Sequence, residues 1–238
     1  MQIENLQKYH FLKNKKIKKF ELLKIQGYCN NNYLLQTPNQ NYLVREFKLS
    51  NNRKAEFRVQ QLAYKKRIAS KPLILDEPNG LMICEFIEGR HQRKLSQQQL
   101  KKMAQLLIKL HQIKIRLKRN SFKNNFSFKD TKIKKAFIIL EKQPKEYALG
   151  HNDLHPKNIL FHKKNIKLID WEYARYSDIY FDLVSIIIEY KLNTKDTKTF
   201  LRSYFLEKKI NYKKIDAFRL IYKELWELWF NKLAKGEL

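Results

Sequence analysis

The sequence predicts an α+β chain in two parts: a small antiparallel-sheet lobe over residues 1–88 and a mostly helical lobe over 89–238. Three observations lead there. Short apolar runs separated by turn residues fill the stretch from Phe20 to Ile87. After Gly89 the apolar residues recur mainly at helical spacing. One stretch breaks that pattern, His151 to Glu172, which reads HNDLHPKNILFHKKNIKLIDWE. Its apolar runs, Ile159 to Phe161 and Ile166 to Ile169, flank His162-Lys163-Lys164-Asn165 and read as strand, turn, strand. Such a hairpin brings its two ends together, Asp153 and Asn158 before the first strand and Asp170 after the second. Two carboxylates and an amide oxygen then converge on one small volume, a donor set of the kind Mg²⁺ takes when water and phosphate complete its shell.

In the first part, FELLKIQ, YLLQT and YLVREF read as three strands, with a turn at Pro38-Asn39-Gln40-Asn41. The connection from Gly27 to Asn32, which includes Asn30 and Asn32, reads as a loop that is either a plain hairpin turn or a set of N–H groups presented to a phosphate. On the third strand Arg45 shares a face with Leu43 and Phe47, so it needs an anionic partner. The following helix, from about Asn52 to Ala69, carries an apolar stripe of Ala55, Val59, Leu62, Ala63 and Tyr64. Glu56 lies beside that stripe, either facing solvent or reaching inward to Arg45. Pro72 ends this unit, and LILDEPNGLMICEFIEG supplies a last hairpin whose second strand runs from Leu81 to Ile87.

In the second part, Ser96 and Gln99 form a capping box before a helix with Leu100, Met103, Ala104, Leu107, Leu110 and His111 on one face. His111 reads as a core or edge histidine. The basic stretch from Lys118 to Lys135, with Phe122, Phe126 and Phe128 interleaved, reads as a connection pinned by its aromatics, and Ile133 to Glu141 as a helix. Ser177-Asp178 caps a helix through Tyr190 whose apolar face is interrupted by Asp182. Helices over 197–208 and 212–234 finish the chain. The last carries Trp226 and Trp229, three residues apart and therefore on one face.

Composition narrows the function classes. Fifty Lys and Arg against 23 Asp and Glu give a net charge of +27, which raises a nucleic-acid or membrane-surface partner. The charge is spread along a chain rich in Lys, Asn and Ile throughout, however, as compositional bias of the coding sequence would produce, so no nucleic-acid partner is expected. Cys29 and Cys84 have no paired spacing and no metal-ligand neighbours, which points to a reducing, cytoplasmic compartment. No run of about 18 apolar residues occurs, and membrane insertion is not expected. Neither internal repeats nor oligomeric state can be read from the pattern.

The run H-N-D-L-H-P-K-N-I-L followed by I-D-W-E resembles the kinase-like small-molecule phosphotransferases: choline and ethanolamine kinases, thiamine kinase and aminoglycoside phosphotransferases. Gly27 to Tyr33, Val44-Arg45, Glu56, Glu85 to Gly89 and Phe181-Asp182-Leu183 fall in that family's order, so the resemblance covers most of the chain. It implies a two-lobed protein-kinase-like fold and an ATP- and Mg²⁺-dependent enzyme. By the same resemblance Asp153 is the catalytic base, Asn158 and Asp170 hold Mg²⁺, and Arg45, paired with Glu56, contacts nucleotide phosphates. Asn30 and Asn32 lie over the phosphates, and the segment from Glu85 to Ile87 reads adenine. His151 is implied to hold the catalytic loop and Asp182 to hydrogen-bond it, while His155 either supports the loop or faces the γ-phosphate.

The acceptor that the resemblance implies is a small cationic alcohol, choline first. Trp226 and Trp229 match the paired tryptophans that help cage a trimethylammonium group, with Glu172 and Tyr173 beside the site. The DWEYA wording is also similar to thiamine kinase, and ethanolamine and aminoglycosides remain open. An idle kinase-like module that binds nucleic acid is the reading from another class, and it leaves the retention of Asp153, Asn158 and Asp170 unexplained.

Overall fold

The computed structural model describes residues 6–24, 26–27, 29–49, 52–119, 121–126 and 130–236. Ile25, Tyr28 and Phe128, named above, lie outside the described residues. The chain divides into two compact units, Met1–Glu88 and Gly89–Leu238.

The first unit is built from β1 (Lys19–Leu22), β2 (Asn30–Gln36), β3 (Asn41–Phe47), α1 (Arg53–Lys65), β4 (Pro72–Asp76) and β5 (Leu81–Glu85). The strands form one antiparallel sheet in the order β1-β2-β3-β5-β4. Turn chemistry sets its hairpins. The Thr37 N–H donates to the Gln40 carbonyl between β2 and β3, and Gly80 adopts φ 63° between β4 and β5 while Asp76 Oδ1 accepts from the Asn79 N–H. One face of the sheet buries Leu35, Tyr42, Val44 and Ile83 against Leu6, Tyr9 and Leu12 from the segment before β1. The Tyr9 hydroxyl fastens that segment to Asp76 at 2.6 Å.

Two sequence expectations are corrected here. Asn30 and Asn32 are not in the connection between the first strands but inside β2, opposite Phe47 and Arg45. The side chain of Gln26 occupies both main-chain groups of Asn32, accepting from its N–H at 2.8 Å and donating to its carbonyl at 3.0 Å, which extends the strand back toward the loop. The last strand stops at Glu85, so Ile87 lies beyond the sheet.

Helix α1 is capped by Asn52, whose side chain accepts from the Ala55 N–H at 3.1 Å. Its buried face is turned from the expected stripe: Arg53, Glu56, Val59, Gln60 and Ala63 are buried, whereas Tyr64 is exposed. Polar contacts cause the turn. Glu56 accepts from Arg45 and, at 2.7 Å, from Arg53, and Gln60 donates to the Ser70 hydroxyl at 2.9 Å. Burial alone would raise the Glu56 carboxyl, but the two guanidinium groups hold it below the usual carboxylate range. Arg53 also lies 4.1 Å over the Phe47 ring, which couples the start of α1 to the end of β3. Glu56→Gln removes the charge between two buried cations, so the opening free energy of β3, measured by native-state hydrogen exchange, should fall by about 3 kcal/mol. No change in β3 protection would contradict this.

The second unit contains α2 (Gln97–His111), α3 (Thr131–Glu141), β6 (Tyr147–Gly150), β7 (Ile159–His162), β8 (Asn165–Leu168), β9 (Arg175–Asp178), α4 (Ile179–Glu189), α5 (Thr194–Phe205) and α6 (Tyr212–Ala234). Both halves of the Ser96–Gln99 capping box are present. The connection before α3 is pinned as expected: Phe122 stacks on Phe181 at 4.0 Å and Phe126 meets Phe137 edge-on at 5.4 Å. The hairpin β7–β8 pairs Ile159 with Leu168 and His162 with Asn165. A second ribbon is new: β6 pairs antiparallel with β9, Tyr147 opposite Asp178 and Gly150 opposite Arg175. Four-residue strands reading YALG and RYSD carry too little alternation to be seen in sequence, and the pairing supplies their order.

Candidate active site

The loop after β6 begins under tight steric control. A Cβ on Gly150 would lie 2.2 Å from Ser177 Oγ and 3.1 Å from Asn152 Oδ1, so glycine leaves these two side chains the places they occupy between β6 and β9. Asn152 then adopts φ 64°, in the left-handed region that asparagine tolerates, and its Nδ2 donates to the Tyr173 carbonyl at 3.1 Å. Loop and turn are thereby tied before any catalytic side chain is placed.

Asp182, fully buried on the first turns of α4, accepts the two successive N–H groups of His151 and Asn152 at 2.8 and 2.9 Å. His111 Nε2 lies 3.2 Å from the same carboxylate, and the Tyr204 hydroxyl is 2.6 Å from His111 Nδ1. Burial would raise the Asp182 carboxyl, but His111, the neighbouring His151 and the Asn152 N–H hold it below the usual range. Sequence spacing predicts an interior His111 and an Asp182 out of place on an apolar face. It does not reveal that each is the other's partner, because they are 71 residues apart.

From this anchor the remaining groups follow. His151 Nε2–H donates to the Ile169 carbonyl at 3.0 Å, and the Ile169 N–H donates to the Asn158 carbonyl at 3.0 Å. Both main-chain groups of the residue before Asp170 are therefore fixed, and Asp170 itself takes φ 64°. Asn158 Nδ2 donates to Asp153 Oδ2 at 2.6 Å and to the Asp153 carbonyl at 3.0 Å. Its amide nitrogen is committed, which leaves Oδ1 as the atom of that side chain that could bind a cation.

Asp153 is pushed up to about 7, first by burial and next by the charge of Asp170, with Glu172 and Glu189 adding; the Asn158 hydrogen bond opposes the shift. Four acidic side chains thus act on one small region. Among the described residues no group of three or more His, Cys, Asp or Glu is arranged to hold a metal by itself. A carboxylate and an amide oxygen beside a second carboxylate instead fit an ion that draws its other ligands from phosphate and water, as Mg²⁺ does.

The predicted acceptor residues lie in this unit as well. Trp226 and Trp229 on α6 are half-buried, not core, and meet edge to face with centroids 5.5 Å apart at 78°. Trp226 also stacks on Phe230 at 5.4 Å and lies 6.2 Å from the His155 ring. His155 is two residues from Asp153; its Nδ1 accepts from the Lys157 N–H at 3.2 Å, and Nε2 faces Glu189 Oε2 at 3.4 Å. Burial keeps this imidazole below its ordinary range against the pull of Glu189, so it is neutral at pH 7. Glu172 is buried and Tyr173 exposed. Glu189 is absent from the sequence reading: it ends an apolar helix, where a charge signals only a helix end. The structure places it against both His155 and Tyr222, whose hydroxyl donates to Glu189 Oε1 at 2.8 Å.

Of the residues expected on the nucleotide side, Arg45, Glu56, Asn30, Asn32 and Glu85 belong to the sheet and helix of the first unit, and Ile87 follows it.

An anchored loop, a raised carboxylate and a hairpin returning a second carboxylate, in a chain that also carries the five-stranded sheet with one helix, define a protein-kinase-like phosphotransferase. The chain belongs to the phosphotransferase enzyme family, which it matches over residues 22–218. It is an enzyme with an alcohol group as phosphoryl acceptor. It is similar to Protein LicA of Haemophilus influenzae, 26% identical over an alignment that covers 93% of this chain and 75% of that protein. Among solved structures, choline kinase LicA from Streptococcus pneumoniae superposes with a TM-score of 0.80 at 22% identity, covering 98% of this chain and 89% of that one. LicA in complex with AMP gives 0.73 at 24%, covering 95% and 87%. Among the described residues no helix is long and apolar enough to cross a membrane.

The raised Asp153 carboxyl has a stability consequence. A folded-state value of about 7 against an ordinary 3.8 means that the folded state binds the proton more tightly, so stability falls as pH rises from about 4 to about 7. Above that window the full cost of the charge is present. Asp153→Asn carries no such charge, and its Tm without Mg²⁺ should exceed that of the wild type at pH 8, with the gap closing toward pH 4. A gap independent of pH would contradict the shift.

Proposed function

We propose that the protein transfers the γ-phosphoryl group of ATP, with Mg²⁺, to the hydroxyl of a small cationic alcohol, most readily choline. The observation that carries this reading is the pairing of a raised, Asn158-bound Asp153 with a half-exposed tryptophan pair whose Trp226 lies 6.2 Å from the ring of His155, two residues from Asp153. The relatives named LicA support it, since one of the similar structures is a choline kinase and another holds AMP.

Asn158 holds Asp153 Oδ2, so Oδ1 is the oxygen that orients the alcohol and takes its proton as the oxygen attacks phosphorus. Asp170 and Asn158 Oδ1 would hold Mg²⁺, which when bound neutralises charge on the phosphates and lowers the cost of an ionised Asp153 beside Asp170. Arg45, kept charged and oriented by Glu56, is the side chain assigned to the nucleotide phosphates, with Asn30 and Asn32 on the neighbouring strand and the Glu85 to Ile87 segment assigned to adenine. Trp226 and Trp229 offer ring faces to a cationic head group, and Glu189 and Glu172 add negative potential. Tyr173 completes the acceptor side. His151 and Asp182 act through the loop, and the neutral His155 braces it against Glu189. The reaction compartment is assigned to the cytoplasm, because the buried Cys29 and Cys84 form no disulfide with each other.

A coupled assay of ADP release over choline, ethanolamine, thiamine and an aminoglycoside panel tests the reading. Choline should give the highest Mg²⁺-dependent kcat/KM. Asp153→Ala should lower kcat by about 10²- to 10⁴-fold, and Trp229→Ala should raise the choline KM by about tenfold with less effect on kcat. ADP release untouched by Asp153→Ala would sink the assignment.

A further inference from the structure

Among the described residues Lys214 is the one lysine in the group of largest fully buried side chains, at 1% exposure in a chain with 50 Lys and Arg. Such a cation persists only where it is paired. Its Nζ lies 2.7 Å from Asp178 Oδ2 and 3.0 Å from Glu146 Oε2, donates to the Pro144 carbonyl at 3.1 Å, and sits 4.2 Å over the Tyr180 ring. Each partner belongs to β9, to the start of α4 or to the segment entering β6. Asp178 is also the N-cap of α4, its Oδ1 accepting from the Tyr180 N–H at 3.2 Å. Nearby, the Asn211 N–H donates to the Tyr180 hydroxyl at 3.0 Å, and Asn211 Oδ1 caps α6 at the Lys214 N–H.

The first turn of α6 is therefore bound to the first turn of α4. A second tie joins the same helices farther along, Tyr222 to Glu189. The ties are separated by eight residues on α6 and eleven positions on α4, about 12 and 16 Å of axial rise. Two separated polar links fix both the slide and the rotation of one helix against the other, which apolar packing alone leaves adjustable. What they fix matters: α4 carries Asp182, which holds the Asp153 loop, and α6 carries Trp226 and Trp229.

We propose that Lys214 is a positioning residue of the acceptor site, setting where α6 places Trp226 and Trp229 relative to Asp153; the proposal rests on the reading that this tryptophan pair binds the acceptor. The test compares Lys214→Met with Lys214→Met/Asp178→Asn, in which no buried charge is left unpaired, and with Lys214→Arg. Full-length protein carrying 5-fluorotryptophan is used, so that the three indoles report separately by ¹⁹F NMR. In the double variant the Trp226 and Trp229 resonances should move while that of Trp171 stays. The choline KM should rise by about tenfold with the ATP KM within about twofold, and Lys214→Arg, which keeps the charge, should recover most of it. Unmoved Trp226 and Trp229 resonances, or ATP and choline KM rising together, would overturn the proposal. Should the resonances move while neither Trp229→Ala nor the Lys214 variants change the choline KM, the positioning role stands and the acceptor assignment fails.

Discussion

The contact on which the rest depends is the carboxylate of Asp182 accepting two successive backbone N–H groups, those of His151 and Asn152. The two amides take one oxygen each, His151 N–H on Oδ2 and Asn152 N–H on Oδ1, and Asn152 then adopts a left-handed conformation as the loop leaves the anchor. A fully buried charge is costly, and here it is offset by two amides and an imidazole. Once that loop is set, His151 reaches Ile169, Ile169 reaches Asn158, and Asn158 reaches Asp153. Each link is a hydrogen bond to main chain or to a carboxylate, so the constellation is organised before any substrate arrives, the condition under which electrostatic stabilisation is most effective.

The opposite tension is concentrated at Asp153. Burial and the neighbouring charge of Asp170 disfavour its ionised form. Burying an ionised Asp153 there lowers stability, and a cation bound beside it would offset that cost. The first unit shows the reverse arrangement, in which Glu56 sits between Arg45 and Arg53 and the positive charge is the larger.

Much of this is legible in the sequence. The α+β division, the capping box at Ser96, the hairpin around His162 to Asn165 and the length of the last helix follow from periodicity and turn chemistry alone. So do Asp153, Asn158 and Asp170, because hairpin closure brings its flanks together whatever surrounds it. Three kinds of feature were not legible. The β6–β9 ribbon is too short and too polar to show alternation. The buried face of α1 follows Glu56 and Gln60 and not its apolar residues, because partners from β3 and Ser70 satisfy them. His111, Glu189 and Lys214 have roles made by partners distant in the chain, and single-residue patterns carry no information about those partners.

On the proposed function, Asp170 and Asn158, presented by the β7–β8 hairpin, hold the metal of a metal–nucleotide complex beside Asp153. The most direct measurement is anomalous scattering from crystals grown with Mn²⁺ and a non-hydrolysable ATP analogue. A manganese peak is expected about 2.1 Å from Asp170 and from Asn158 Oδ1, absent in an Asp170→Asn crystal. A bound analogue with manganese ligated elsewhere, or with neither side chain in its shell, would contradict it.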